Sequence, residues 1–121
     1  MRPTPALLAH AVAALAELLR FARPADQALS AYFRSHRNLG QQDRAFVAES
    51  AFAVLRRRRS LEAAAGSAAP RDLIVAALVR VFGVSARALR EHAELAARVK
   101  AHAGRDQPAA VQADLPDWLW A

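Results

Sequence analysis

Apolar residues recur every three or four positions along most of this chain, which is the period of an α-helix. In the first segment the spacing joins Leu8, Val12, Leu15 and Leu19, and a parallel row contains Leu7, Ala11, Ala14 and Leu18. One broad face of a first helix is therefore expected to turn inward. No useful length of the chain alternates with a period of two. The pattern predicts an all-α bundle of about five to six helices.

Proline and glycine mark the limits of the next helices. Pro24 suits the first position of a second helix, and Asp26 lies near the positive end of its dipole. The expected buried stripe of this helix contains Leu29, Tyr32, Phe33 and His36. A break around Gly40 precedes a third helix, which is predicted to begin near Gln42 or Asp43 and to end near Arg58. Its core-facing residues are expected to be Phe46, Val47, Ser50, Ala51 and Val54.

The second half of the chain predicts two further helices. Residues 63–69 favour a loose connection, with a helical start at residues 63–65 as the alternative. Pro70 opens a fourth helix and Gly83 is placed to end it in a left-handed conformation. Its inward residues are expected to be Leu73, Ile74, Ala77, Leu78, Val81 and Phe82. Ser85 is a suitable cap for a fifth helix that runs to about Ala103 and stops at Gly104.

The pattern divides the chain into one helical domain, residues 1–104, and a linker with the start of a junction, residues 105–121. The full length of 121 residues suits a single domain. The apolar run at the N-terminus is too short and too rich in alanine for a membrane span, and no signal-peptide cleavage pattern follows a basic start. No membrane partner is therefore expected, and the absence of cysteine agrees with the expected cytoplasmic location.

Positive charge is confined to one third of the chain. Residues 20–59 contain nine arginines and three acidic residues, whereas the remainder contains eight basic and eight acidic residues, so this third accounts for the net charge of +6. A GC-rich genome would explain the excess of arginine over lysine, but not its confinement. A basic cluster of this kind on a folded scaffold neutralises phosphates and releases counterions, which favours a polyanionic partner.

Residues typical of catalysis are missing from the pattern. The four glycines are isolated, so no glycine-rich loop is expected to hold a nucleotide or an adenosyl cofactor. The histidines lack the three- or four-residue spacing of a metal site, and no cysteine supplies a thiolate. We therefore expect no catalytic residue, no metal site and no cofactor in this chain.

Three short motifs follow one another in a fixed order. The first is Ala28 to Arg34, and the second combines Asp43-Arg44, Phe46-Val47 and Ala53-Val54-Leu55-Arg56. The third is Leu115-Pro116-Asp117-Trp118-Leu119. Together they resemble the NusB-like N-terminal domain of the RsmB/Sun family of bacterial 16S ribosomal RNA (cytosine-5) methyltransferases, with its D-R-x-F-V and V-L-R signature and its L-P-x-W-L junction.

The resemblance implies a NusB-like helical bundle that binds ribosomal RNA for a catalytic domain of the same polypeptide. That domain, with its bound S-adenosylmethionine and paired cysteines, would follow Ala121, so the chain is expected to be a domain of a longer enzyme. Leu115, Trp118 and Trp120 would then dock against the catalytic domain, and a disordered tail is the alternative. Two other functions stay open: a free-standing transcription antitermination factor of the NusB type, and a scaffold that does not bind RNA.

Six arginines are the candidate RNA-binding residues: Arg34, Arg37, Arg44, Arg57, Arg58 and Arg59. The last three follow a predicted helix end, where the alternative is that they complement the negative end of the dipole and remain solvated. Arg56 is expected to be held by a carboxylate inside the fold.

Each remaining candidate has a structural alternative. Asp43 and Arg44 favour a helix start and an ion pair, and phosphate contact by Arg44 is the alternative. Arg20 and Arg23, like Arg34 and Arg37, either extend the basic patch or form a solvated face. Core positions are favoured over base stacking for four aromatic residues: Tyr32, Phe33, Phe46 and Phe52.

Overall fold

A computed structural model describes residues 3–102, and within that range it contains helices and no strand. The elements are α1 (Pro5–Leu18), α2 (Ala25–Ser35), α3 (Gln41–Arg56), α4 (Arg58–Ala65), α5 (Pro70–Arg80), a 3₁₀ helix (Arg87–His92) and α6 (Ala93–His102). The predicted all-α bundle of about five to six helices is confirmed. No helix in residues 3–102 is long and apolar enough to cross a membrane.

Helix α5 forms the centre of the bundle. Six consecutive residues, Leu73 to Leu78, are fully buried, so this helix is apolar on every side for almost two turns. Helices α1, α3, α4 and α6 all pack against it. A helix that is apolar around its whole circumference must be covered on all sides, and its neighbours bury their single apolar faces by covering it.

The predicted inward faces of α1 and α3 are largely confirmed. Leu8, Ala11, Ala14, Leu15 and Leu18 are buried in α1. In α3 all five expected core residues are buried. Ser50 is only 1% exposed. Its hydroxyl donates to the carbonyl oxygens of Phe46 and Val47, so this buried polar group has hydrogen-bond partners inside the core. One expectation is wrong: Val81 lies beyond the end of α5 and is 38% exposed.

The end of the third helix differs from the prediction. Helix α3 ends at Arg56, and Arg57, with φ −123° and ψ 28°, separates it from α4. Residues 63–65, for which a helical start was the alternative to a loose connection, form the end of α4, and the connection is limited to residues 66–69. The change of direction at Arg57 lets α4 bury Leu61, Ala64 and Ala65, and α4 packs against α5. Tertiary burial therefore sets this boundary, because the arginine run has no apolar period to mark it.

Gly66 ends α4 in the left-handed conformation, with φ 68°, and its N–H donates to the carbonyl oxygen of Glu62 at 2.8 Å. We expect Gly66→Ala to lower the free energy of unfolding by about 1–2 kcal/mol, because a Cβ is disfavoured at positive φ. Gly40→Ala is the matched control, since Gly40 has φ −76° and an added Cβ meets no atom within 4 Å at either position. Urea unfolding of both variants measures the difference, and equal losses would contradict the backbone explanation.

The expected continuous fifth helix is also corrected. The chain forms a 3₁₀ helix from Arg87 to His92 and only then α6, and Arg90, within the 3₁₀ segment, is kinked with φ 48° and ψ −106°. Ser85 does cap the first turn, because its Oγ accepts the N–H of Ala88 at 3.2 Å. Leu89 before the kink and Val99 after it are both buried. The apolar spacing continues across Arg90, so the pattern carried no sign of the break. The predicted stop at Gly104 lies outside the described residues.

Candidate nucleic-acid interface

The predicted RNA-binding arginines lie at both ends of α3. Arg44 is in the first turn, and its guanidinium carbon is 5.8 Å from the ring centroid of Phe33 in α2. Arg34 follows Phe33 directly in α2, and Arg37 lies in the connection to α3. These three arginines, Arg34, Arg37 and Arg44, are called the Arg44 cluster below.

Of the other predicted arginines, Arg58 contacts the turn between α1 and α2. The guanidinium carbon of Arg58 is 5.9 Å from the ring centroid of Phe21, which lies in that turn between Arg20 and Arg23. Arg57 precedes Arg58 at the α3–α4 junction. The five residues Arg20, Phe21, Arg23, Arg57 and Arg58 are called the Phe21 cluster below.

The two clusters are separated by the length of α3. From Arg44 to Arg57 the helical rise corresponds to about 20 Å. The structure therefore brings Arg58 to the turn that contains Arg20 and Arg23, with Arg57 next to Arg58 in the chain, and places Arg44 at the opposite end of α3. One contiguous patch made of all six predicted arginines is not what the fold builds.

Internal partners distinguish the arginines from one another. The Nε of Arg58 donates to the Oε1 of Glu62 at 2.9 Å, and the side chain of Arg58 is 42% exposed, so its charge is partly neutralised. Arg20 lies 3.6 Å from Glu17, but its side chain is 71% exposed and the pair is weak in water. Arg59 is exposed and already engaged in an intramolecular interaction. Arg23 and Arg57 are exposed.

Two expectations about Arg56 and Asp43 need correction. Arg56 is exposed at the end of α3 and forms no ion pair with a carboxylate of residues 3–102, because the turn at Arg57 leaves it on the outer surface. Asp43 does lie in the first turn of α3, where its charge suits the dipole. Within residues 3–102 it makes no ion pair with Arg44, whose side chain lies against Phe33 instead.

The aromatic residues favoured as core residues are placed accordingly. Tyr32 and Phe46 are buried, and Phe33 and Phe52 are half-buried against the core. Phe21, which the periodicity had left unassigned, is different because it is 65% exposed. The signal that was available is its position: it lies outside every apolar stripe, between two arginines and ahead of Pro24.

Tyr32 contacts two histidines, His10 in α1 and His36 at the end of its own helix α2. Its hydroxyl lies 2.7 Å from Nδ1 of His10 in α1, and its carbonyl oxygen accepts from Nδ1 of His36 at 2.8 Å. The rings of Tyr32 and His36 stack with centroids 4.0 Å apart. A groove of about 530 Å³ between α1 and α2 begins at Arg20 and Arg23 and reaches this group. The contacts of Tyr32 and His10 fix α2 against α1 and so position the intervening turn.

Burial raises the pKa of the Tyr32 hydroxyl above its ordinary value. The folded state therefore favours the neutral phenol. Its contribution to stability is complete below about pH 10, the ordinary tyrosine value, and is lost as pH rises through the folded pKa. In a pH titration we expect phenolate absorbance to appear at a higher pH in the folded protein than in the protein unfolded in urea. Because the chain has one tyrosine, the signal reports on this residue alone, and Tyr32→Phe should remove it. If Tyr32 in the folded protein titrated at the ordinary tyrosine pKa, this expectation would be contradicted.

The predicted docking residues Leu115, Trp118 and Trp120 lie outside the described residues. Among residues 3–102 no group of three or more histidine, cysteine, aspartate or glutamate side chains is arranged to hold a metal ion. Comparison of the chain with protein-family models, curated proteins and solved structures finds no match. The functional interpretation consequently depends on the two arginine clusters and on the aromatic ring that each of them contacts.

Proposed function

We propose that this chain binds RNA through the exposed arginines at the two ends of α3. The observation that carries the proposal is the Phe21 cluster, in which Arg58 lies over one exposed aromatic ring, Arg20 and Arg23 flank that ring in sequence, and only Glu17 and Glu62 pair with the arginines of the cluster in residues 3–102. Guanidinium groups bind phosphate oxygens, and aromatic rings stack on unpaired bases. RNA offers both partners at once.

The separation of the clusters suits an elongated ligand. A nucleic-acid strand of a few nucleotides spans the distance of about 20 Å along α3. Exposed arginines at each end of α3 are positioned to contact its phosphates. Phosphate contacts position a strand without reading its sequence. Binding is therefore expected to be salt-sensitive and weakly selective for sequence.

A titration with single-stranded RNA at several salt concentrations tests the proposal. The logarithm of the association constant should fall linearly with the logarithm of the salt concentration, by about 0.7 for each phosphate contacted. Inorganic polyphosphate is the control for charge alone, because it has no bases. Absence of RNA binding, or an affinity that does not respond to salt, would refute RNA binding through these arginines.

We further propose that the chain is the NusB-like accessory domain of a 16S ribosomal RNA (cytosine-5) methyltransferase of the RsmB/Sun type. The support is the order of the three motifs, together with an all-α bundle in which the second motif forms α3. The catalytic domain would bind S-adenosylmethionine and transfer its methyl group, while this domain holds the ribosomal RNA.

The coding sequence beyond codon 121 and a methylation assay test this assignment. An adenosylmethionine-type glycine loop and two cysteines encoded there would support it, as would faster methylation of ribosomal RNA fragments when this domain is joined to that catalytic domain. RNA binding without any effect on methylation favours a free-standing factor of the NusB type. Tight association with the catalytic domain without RNA affinity favours a scaffold.

A further inference from the structure

Phe21 is the most exposed large apolar side chain of residues 3–102. It is 65% exposed, whereas Phe33, Phe46, Phe52 and Phe82 are buried or packed against the core. An aromatic ring in water contributes little to folding, because the hydrophobic free energy scales with the apolar area removed from solvent. Packing within residues 3–102 therefore does not account for the position of this ring.

The backbone at Phe21 is also unfavourable. Its φ of 52° lies in the left-handed region, which is uncommon for a residue with a bulky side chain. The turn is held there by two hydrogen bonds, from the N–H of Arg20 to the carbonyl oxygen of Glu17 and from the N–H of Phe21 to that of Leu18, both 3.2 Å. Strained residues of this kind occur preferentially where a protein contacts a ligand.

The surroundings of the ring are cationic. Arg58 lies over the ring at 5.9 Å from its centroid, and Glu62 fixes the guanidinium group through a hydrogen bond of 2.9 Å. Arg20 and Arg23, both exposed, flank Phe21 in the turn. The ring is thus held in place from one side, and the exposed positive charges of Arg20 and Arg23 are close to it in the chain.

We propose that Phe21 is a stacking platform for an unpaired nucleobase of single-stranded RNA, with Arg20 and Arg23 contacting the phosphates on either side of that base. This inference rests on the proposed RNA binding and adds the form of RNA that the Phe21 cluster takes. In a duplex the bases are paired and stacked on one another, so only an unpaired base reaches a protein ring. Every base has a π-face, and stacking here is therefore tolerant of sequence.

Charge favours RNA over a protein partner at this position. A protein-docking surface normally presents a contiguous apolar patch, whereas here a single exposed ring lies under Arg58 and between Arg20 and Arg23 in sequence. A base with its flanking phosphates complements both features, since the ring receives the base and the guanidinium groups receive the anions.

Two oligonucleotides separate stacking from charge. One is oligouridylate of about ten nucleotides, a length typical of single-strand binding sites, and the other has the same backbone with abasic positions. The intact protein should bind oligouridylate on the order of tenfold more tightly than the abasic strand. Phe21→Leu should lose this preference for oligouridylate, while its affinity for the abasic strand should not change. Phe21→Trp should keep the preference, because its ring can also stack on a base. Arg23→Gln, as the control for charge, should weaken both strands equally.

A second variant guards against loss of fold. Phe21→Gly relieves the left-handed strain, so its midpoint of thermal unfolding should equal or exceed that of the intact protein, while its preference for oligouridylate disappears. A lower midpoint would show that the ring serves the fold and would overturn the platform. Equal binding of both strands by the intact protein, or unchanged binding by Phe21→Leu, would also overturn it while leaving RNA binding intact. Failure of the intact protein to bind either strand would refute both proposals.

Discussion

Replacing Arg20, Arg23 and Arg57 together by glutamine is expected to weaken RNA binding on the order of 100-fold at low salt. Each of these side chains is exposed and lies in the Phe21 cluster. An exposed ion pair contributes at most about 1 kcal/mol, and three such contacts correspond to two decades of affinity. The slope of log affinity against log salt should become shallower by about 2, which is 0.7 for each phosphate contact removed.

A matched variant elsewhere on the surface separates position from net charge. Arg80→Gln, Arg87→Gln and Arg98→Gln remove the same three charges from exposed sites on α5, the 3₁₀ helix and α6. This control should lower affinity far less, and change the slope by less than one contact. Fluorescence anisotropy titrations at several salt concentrations measure both quantities. Equal losses in the two triple variants would show that net charge, and not the Phe21 cluster, determines binding.

Leu73→Ala is expected to lower the free energy of unfolding by about 3 kcal/mol. Leu73 is fully buried at the start of the central helix α5, where neighbouring helices leave little room to collapse into the cavity. For a domain of this size the midpoint of thermal unfolding should fall by roughly 15 °C. Chemical denaturation monitored by circular dichroism measures the change.

Val81→Ala is the control for the core variant. Val81 follows the same helix and is 38% exposed, so truncation should cost less than about 1 kcal/mol. RNA affinity measured well below the unfolding midpoint should be unchanged in Leu73→Ala, because none of the clusters lies on α5. A loss of RNA affinity in the folded Leu73→Ala protein would indicate that the core and the interface are coupled.

The helical periodicity was sufficient for much of α1, α3 and α5, because each must bury an apolar face or an entire circumference. Leu15, Val47 and Leu73 are fully buried as that periodicity predicts. It was insufficient at Arg57 and Arg90, where the chain changes direction. Neither position has a proline or a glycine, and at Arg90 the apolar spacing continues unbroken, so nothing local announced the turns.

The candidate site was only partly accessible from sequence. Counting charges along the sequence identified the basic third of the chain and, within it, the run of four arginines that follows Leu55. The pairing of Arg58 with Glu62 is a local i,i+4 contact, but it requires that α4 begin at Arg58. The contact of Arg58 with Phe21 joins segments far apart in the chain, which no periodicity encodes.

By itself, the sequence determined that this protein is helical, which faces are buried and that its positive charge lies within residues 20–59. Those properties follow from the order of residues along the chain, since helical period and charge are local. Only the tertiary structure decided that Arg58 lies over Phe21 in the α1–α2 turn and that this ring is exposed. The reason is that the relative position of two surface side chains depends on how whole helices pack, and packing is set by the shared core.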